Sequence, residues 1–370
     1  MNRRTLLTTG GLTLAAGAGA TWLGLRGMGS MPDYTAAVAQ TRSVLAARPE
    51  LAELVRYATL APNGHNTQPW RFRLGEGRID ILPDLSRRTP VVDPDDHHLF
   101  VSLGGAAENL ALAGAARGRP GEVTFQPGDI GGLTFAYVQG DASLSSLFDA
   151  IPRRQSTRAD CDGRTVSAAD LGMLAAAARV PGVDLVLITD RPQMNRVRDL
   201  VVEGNTVQLN DAAFLHELKR WIRFNPRQAL RTGDGLFSLT SGSPSVPSWL
   251  GPTLFDATLK TAADNDKYAR QIASSAGIAV FVGERADPDH WTRVGRASQR
   301  FALQATALGL KLAYINQPVE VAALRPELAS LIGMAGRRPD LVVRFGYGAA
   351  LPFSARRPVE TVLADSATQR

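Results

Sequence analysis

Cysteine is almost missing from this 370-residue chain: Cys161 is the only one. A disulfide within one chain and a cysteine-built metal centre are therefore both excluded, and the fold must rest on packing. Lysine is scarce too. It occurs only at positions 219, 260, 267 and 311, so the basic side of the balance is nearly all arginine. Aromatic residues make up 6%, and no basic run interleaved with them marks a nucleic-acid face. The net charge of +6 comes from 41 basic and 35 acidic residues, but residues 1–30 hold Arg3, Arg4 and Arg26 and no acid. Without that segment the balance is 38 against 35, or +3, which asks for no polyanionic partner.

Several chemistries are missing as motifs. No G-x-G-x-x-G follows a strand-like run: Gly233-Asp234-Gly235 and Gly346-Tyr347-Gly348 both lack the third glycine, so a Rossmann site is unsupported. There is no P-loop and no G-x-S-x-G nucleophile elbow. The five histidines, at 65, 97, 98, 216 and 290, include no H-E-x-x-H. The run Asp93-Pro94-Asp95-Asp96-His97-His98 offers metal-ligand types. It reads better as an acidic turn into a helix over 101–117, with Asp96 or Ser102 near the cap, and no metal is expected.

What is present begins with an address. Residues 5–25 carry no charge, follow Arg3-Arg4, and contain five glycines and five threonines, which makes them weakly apolar for a membrane span. Asn2-Arg3-Arg4-Thr5-Leu6-Leu7 resembles a twin-arginine signal, although Thr5 and Thr8 depart from the ideal pattern. Residues 1–30 are thus assigned to export, to a periplasmic or cell-envelope location. Ala18-Gly19-Ala20 is a small-x-small cleavage site, but Trp22, Leu23 and Leu25 prolong the apolar stretch, so an uncleaved anchor stays open. The twin-arginine route moves folded proteins, which suits one that takes up a cofactor first.

Composition is that of a folded protein, with 44% hydrophobic and 21% charged residues. Leu51, Leu54, Val55 and Ala58 fall at helical spacing, and Pro62-Asn63-Gly64 ends that helix. Strands are expected at 71–74, 79–82 and 134–138, with a helix over 101–117 between them. After a polar, arginine-rich stretch at 152–163 the pattern starts again. A helix is expected at 168–178, a strand at 184–189, a long helix over 193–224, and a strand at 278–283. A helix follows on Ala297, Phe301, Ala305, Leu308 and Leu312, then a strand over 341–346. Residues 231–252, rich in Gly, Ser and Pro, read as a long loop of the kind that often forms a lid. Two rounds on either side of residue 150 indicate an α+β (or α/β) protein.

Four segments carry chemistry. In Asn63-Gly64-His65-Asn66-Thr67-Gln68-Pro69-Trp70 a helix ends in a loop holding three side-chain amides. Amides suit the uncharged donor–acceptor edge of a flavin, or equally the loop's own backbone. Arg153-Arg154-Gln155-Ser156-Thr157-Arg158 offers planar forks and a hydroxyl for phosphate oxygens, or a solvated basic run. Asn316-Gln317-Pro318-Val319-Glu320 follows the 297–312 helix as a strand-to-helix turn, and Arg356-Arg357-Pro358 lies near the carboxyl end.

Together these segments resemble the nitroreductase family. The first is similar to its Ser/Asn-x-x-N-x-Q-P-W loop, the second to its R-x-S-x-R string, the third to its P-x-E-G segment with Val321 in the place of glycine. The resemblance implies a nitroreductase-like α+β fold of two fused half-repeats, 31–150 and 151–370, each a central mixed sheet flanked by helices. It resembles the Acg-like branch in that layout, in Trp221 and in Gly233-Asp234-Gly235. It implies non-covalent FMN held by Asn63, His65, Asn66 and Gln68 in the loop, by Arg154, Ser156, Arg158, Arg356 and Arg357 around the phosphate, and by Gln317, Pro318, Val319 and Glu320 beside N5, where a backbone N–H of Glu320 or Val321 would donate. No dedicated catalytic acid or base is implied. The expected activity is reduction of a small acceptor such as a nitroaromatic or quinone by a monomeric internal pseudo-dimer, with NAD(P)H as one candidate electron donor. The alternatives are a flavin-sequestering protein whose lid is 231–252, and a cofactor-free fold used for interaction.

Overall fold

The computed structural model describes residues 27–364, so the segment 1–30, expected to direct export, lies outside the described residues apart from its last four. Helix α1 (Met31–Thr41) starts at Ser30, whose hydroxyl accepts from Asp33 N. Helix α2 (Leu51–Ala58) buries Leu54, Val55 and Ala58 on one face, as their spacing requires. Strands β1 (Trp70–Gly75) and β2 (Arg78–Pro83) form a hairpin over Glu76-Gly77, with Phe72 opposite Ile81. Then come α3 (His97–Ala116), β3 (Gly121–Gln126), β4 (Gly132–Tyr137) and the short α4 (Ser146–Ala150).

The second round opens with α5 (Ala168–Ala177) and β5 (Val183–Ile188). A long excursion follows: α6 (Arg191–Leu209), α7 (Ala212–Trp221), β6 (Ile222–Arg223), α8 (Pro226–Thr232), β7 (Leu236–Phe237), α9 (Gly251–Thr258) and α10 (Thr261–Ser274). The round closes with β8 (Gly277–Gly283), α11 (Pro288–Ala307), β9 (Lys311–Tyr314), α12 (Gln317–Glu320), α13 (Arg325–Leu331), β10 (Leu341–Gly346) and α14 (Val359–Val362).

The two four-stranded sheets share one strand order, β1-β2-β4-β3 and β5-β8-β10-β9. This is the α+β class expected. Neighbouring strands in both pair antiparallel, however, so the sheets are not mixed. Parallel pairing touches them only as single bridges at the edges, Phe72 with Leu363 and Ser156 with Leu312. Strands β8 and β10 are buried along their whole length, because apolar clusters cover both faces of the second sheet.

Helices α3 and α11 cross at the centre of the main core. Among the described residues only α3 is long and apolar enough to span a membrane, and it is buried in that core. The crossing is set by glycine. A Cβ on Gly104 would stand 1.9 Å from the Thr292 carbonyl oxygen, and one on Gly295 would stand 2.0 Å from that of Val101.

Four expectations need correction. The helix over 193–224 is two helices, because Asn210 ends the first and the Asp211 carboxylate accepts from Ala213 N to start the second. The helix through Leu312 stops at Ala307; Gly309 turns at φ +77° and Leu312 lies in β9. The segment 231–252 contains β7 and a 3-10 turn at Ser238–Ser241. Helix α3 starts at His97 rather than at 101; Asp96 is at the N-cap position, as expected, but its carboxylate pairs with Arg88, and the capping hydrogen bonds come from Asp93, which accepts from His98 N and Leu99 N at 3.0 Å each.

Candidate functional site

The amide loop holds three non-glycine residues in the left-handed region: His65 (φ +47°), Asn66 (φ +55°) and Gln68 (φ +54°). Such backbone persists only where its surroundings fix it. Here side chains and distant backbone do so. Asn66 Nδ2 donates to the carbonyls of Gly235 (3.0 Å) and Ala355 (3.2 Å), while its Oδ1 accepts from Arg356 Nη1 (2.9 Å). Gln68 is fully buried; its Nε2 donates to Gly233 O (2.8 Å) and its Oε1 accepts from Arg357 N (2.9 Å). Asn63 stays within the loop, accepting from Gln68 N at 2.7 Å. The amides matched to flavin contacts are thus bonded to distant backbone and, at Asn66 Oδ1, to the Arg356 side chain. They clamp residues 233–235 and 355–357 of the second half onto the first.

Three arginines converge beneath this loop. Arg356 donates to the carbonyls of Thr59 (2.6 Å), Leu60 (3.3 Å) and Ala61 (3.1 Å), which follow the end of α2. Arg154, 2% exposed, reaches Leu60 O with Nη2 (3.2 Å), but its Nε and Nη1 have no partner. Arg42, 8% exposed, lies over the Phe353 ring and donates from Nη1 to Pro152 O (2.9 Å) and Arg154 O (3.2 Å); its Nε has no partner. Burial depresses all three guanidinium pKa values. Mutual repulsion adds to this at Arg42 and at Arg356, which is brought to about 9, and none of the three has a carboxylate among the charges acting on it. Nothing in the sequence singles out Arg42; only the fold brings it to Arg154.

The remaining predicted residues are spread over the edge of β9, the amide loop, α12 and the segment after β10. Ser156 lies on the edge of β9, and its neighbour Thr157 donates to Leu312 O at 2.8 Å. His65 has its pKa lowered to about 4, chiefly by burial and further by the nearby charges of Arg158, which is half-buried, and His98. His65 Nδ1 is buried without a partner. In α12 the N–H groups of Val319 and Glu320 donate to Asn316 O (2.8 Å each) and that of Val321 to Gln317 O (2.9 Å), so the turn uses these donors itself. Val321 sits at φ −82°, where any residue fits, so glycine is not needed there. The Gln317 Oε1 is buried and unpartnered. Glu320, its pKa raised by burial, accepts from Gln208 Nε2 (2.6 Å) and lies 3.9 Å from His98 Nδ1. Arg357 donates from Nη2 to Thr361 O (2.9 Å) and from Nη1 to Gln68 O (3.4 Å), and lies 3.8 Å from Asp84 Oδ2.

The excursion between β5 and β8 closes over the loop. Asp234 pairs with Arg223 (2.6 Å) and with Arg87. Glu217 accepts from Val91 N and Val92 N (3.0 Å each), and Arg87 lies over the Trp221 ring. The next stretch is open, with Trp249 76% exposed.

No protein-family profile matches the chain. Among curated proteins, it is 28% identical over 334 residues to "Putative NAD(P)H nitroreductase Rv3131" of Mycobacterium tuberculosis, covering 84% of this chain and 91% of that one. It is 23% identical over 334 residues to "Putative NAD(P)H nitroreductase acg" of the same organism, covering 83% and 93%. Among solved structures, a nitroreductase with bound FMN from Desulfitobacterium hafniense aligns with a TM-score of 0.38 at 14% identity, over 58% of this chain and 96% of that one. The FMN-dependent nitroreductase NfnB from Mycobacterium smegmatis, in complex with NADPH, aligns at 0.37 and 11%, over 55% and 87%. Over most of its length, then, the chain is similar to proteins named as NAD(P)H nitroreductases.

Proposed function

We propose that this chain is an FMN-binding oxidoreductase of the nitroreductase family, a monomer whose two halves, 31–150 and 151–370, build one flavin site between them. The observation that carries the reading is the arginine group under the amide loop. Burying like charges without a carboxylate is costly unless an anion neutralises them. The free N–H groups of Arg154 and Arg42 suit a phosphate monoester, and Arg154 is the first arginine of the R-x-S-x-R string. Asn66, Gln68 and Arg356 hold the loop in place for the flavin. Gln317 Oε1 and His65 Nδ1 are buried without partners and are assigned to the flavin ring. Bound FMN would supply hydride acceptance at N5 and onward transfer to a small acceptor, a nitroaromatic or a quinone, with NAD(P)H as donor. The amino-terminal segment exports the folded, loaded protein by the twin-arginine route.

A second reading is flavin sequestration, favoured by the Asp234 and Glu217 contacts that hold the excursion against the loop. The purified full chain, loaded with FMN under anaerobic conditions, separates the two. Flavin bleaching by NADPH supports the reductase. Bleaching by dithionite alone supports sequestration. Absence of flavin absorbance after FMN is added refutes both.

A further inference from the structure

The start of α3 carries a group of side chains that the flavin reading does not use. One ligand-type atom from each of Asp93, His97 and His98 lies within 4.8 Å of the other two. The two imidazole rings stand 4.5 Å apart, centroid to centroid, at 33°. Two imidazoles bound at about 2.0–2.1 Å to one tetrahedral ion have ring centroids roughly 5 Å apart, so a small adjustment brings the pair to the spacing of joint ligands.

The outer contacts point the same way. Histidines that hold a metal commonly present the other ring nitrogen to a carboxylate or a backbone carbonyl, which fixes the tautomer. Both do so here, and toward one residue. His97 Nε2 lies 2.9 Å from Asp340 Oδ1, and His98 Nε2 lies 3.3 Å from the Asp340 carbonyl oxygen. His97 Nε2 and Asp340 Oδ1 have no other partner, and both residues are 1% exposed. With both Nε2 atoms occupied, each histidine offers Nδ1. The Asp93 oxygens accept the N–H groups of His98 and Leu99, which orients the carboxylate and leaves each oxygen a further lone pair.

The charges around the cluster are already balanced. Arg88 pairs with Asp96 at 2.6 Å and Arg338 with Asp95 at 2.5 Å. Glu320 Oε1, 3.9 Å from His98 Nδ1, is a carboxylate from the second half within reach of a fourth position. On the other side Asp93 and His98 line a small cleft with Gly64, Thr67 and Ser102, which gives an entry path and room for a water ligand.

We propose that Asp93, His97 and His98 form a binding site for one divalent transition-metal ion of the zinc class, with Asp340 as the outer partner of both histidines. Two nitrogens and one oxygen suit zinc or cobalt better than magnesium or calcium. Because α3 belongs to the first half, and Asp340 and Glu320 to the second, the ion would tie the halves together. The proposal does not depend on flavin binding.

The test uses untagged full-length protein, stripped with a chelator and titrated with cobalt(II) and with zinc, with and without added FMN. The expected result is one ion per chain, visible d–d bands with cobalt, and a rise in melting temperature with zinc. His98→Ala and Asp93→Asn should each weaken zinc binding at least 100-fold and abolish the melting shift. His98 is partly accessible, so its variant should fold, and a circular dichroism melt of the metal-free form checks that. His216→Ala, at an exposed position, should bind as the wild type does. Equal binding by His98→Ala and the wild type, or no cobalt bands and no zinc-dependent shift, overturns the site. Metal binding without FMN binding would sink the flavin reading and leave the metal site standing.

Discussion

Gly104 and Gly105 are neighbours in α3, and replacing each by alanine should move stability in opposite directions. Helix propensity alone favours alanine over glycine by about 0.8–1.0 kcal/mol in a helix interior. At Gly105 that gain is realised, because a new Cβ would meet Ala61 Cβ at 3.6 Å, an ordinary contact. At Gly104 the new atom would stand 1.9 Å from the Thr292 carbonyl oxygen and 2.7 Å from its carbon. These are backbone atoms of α11, so no rotamer change relieves the clash and the two central helices must separate. Overpacking a dense core costs about 1–3 kcal/mol, and more where backbone must move. The cost exceeds the propensity gain, so Gly104→Ala should be destabilised by about 2 kcal/mol or more and Gly105→Ala stabilised by up to about 1 kcal/mol. Urea unfolding followed by tryptophan fluorescence reads both. A Gly104→Ala protein as stable as the wild type would refute the close crossing, and with it the register of the two halves on which the site depends.

Arg154→Met should raise the FMN dissociation constant roughly 10–100-fold, the net loss of about one charge-assisted hydrogen bond of about 1.5–3 kcal/mol. It should leave riboflavin affinity unchanged and make the apoprotein no less stable; equal losses for the two flavins would refute the phosphate assignment. His65 is held neutral, with its pKa near 4 against 6.5 unfolded, so the unfolded chain binds more protons and stability falls as pH drops from 6.5 toward 4. The loss at pH 4.5 is at most about 2.5 kcal/mol, given the partial exposure of the ring, and His65→Asn should remove it from denaturation curves measured at pH 7 and 4.5. Asp234→Asn leaves Arg87 and Arg223 without their carboxylate, costs about 3–5 kcal/mol, and should speed proteolytic cutting within 231–252; unchanged cutting would show that the excursion is held by other contacts. Flavin absorbance against protein concentration should give one FMN per chain, and a ratio of two would contradict a single site.

Much of the fold was legible because single elements carry their own signal. The run Leu341–Gly346 is a buried strand with no polar interruption except Arg344, and Leu103, Ala106, Leu110 and Ala113 mark the buried face of α3 at the expected spacing. The breaks were less visible. Asn210 and Asp211 sit in an apolar periodicity that continues past them, and only the cap to Ala213 shows that the helix restarts. Strand β3 has no buried residue, and with only Val123 and Phe125 apolar it offers too weak an alternation to stand out. In the site, the loop's position and its helix-ending role followed from Pro62, Asn63 and Gly64. The partners of its amides did not, because Asn66 bonds Gly235 and Ala355, and Gln68 bonds Gly233 and Arg357, across most of the chain. Arg42 belongs to no motif and gains meaning only from the buried charge it adds beside Arg154.

The shared strand order also explains why the two halves are not equivalent as binding sites. Before β1 the first half places the amide loop; at the corresponding place before β5 the second half has Arg179-Val180-Pro181-Gly182, with no amide. Between β9 and β10 the second half inserts α12 and α13, with Gln317 and Glu320; between β3 and β4 the first half has only residues 127–131. Strands β1 and β2 are joined by two residues, whereas β5 and β8 are separated by the whole excursion that reaches back to clamp Asn66 and Gln68. A site at one junction draws the loop from the first half and the turn, arginine string and cover from the second. The opposite junction would have to draw its loop from residues 179–182 and its turn from 127–131, and it has neither amides nor a helical turn to offer. On the proposed reading one chain would carry the parts for one flavin site, and the asymmetry lies in the connections rather than in the sheets.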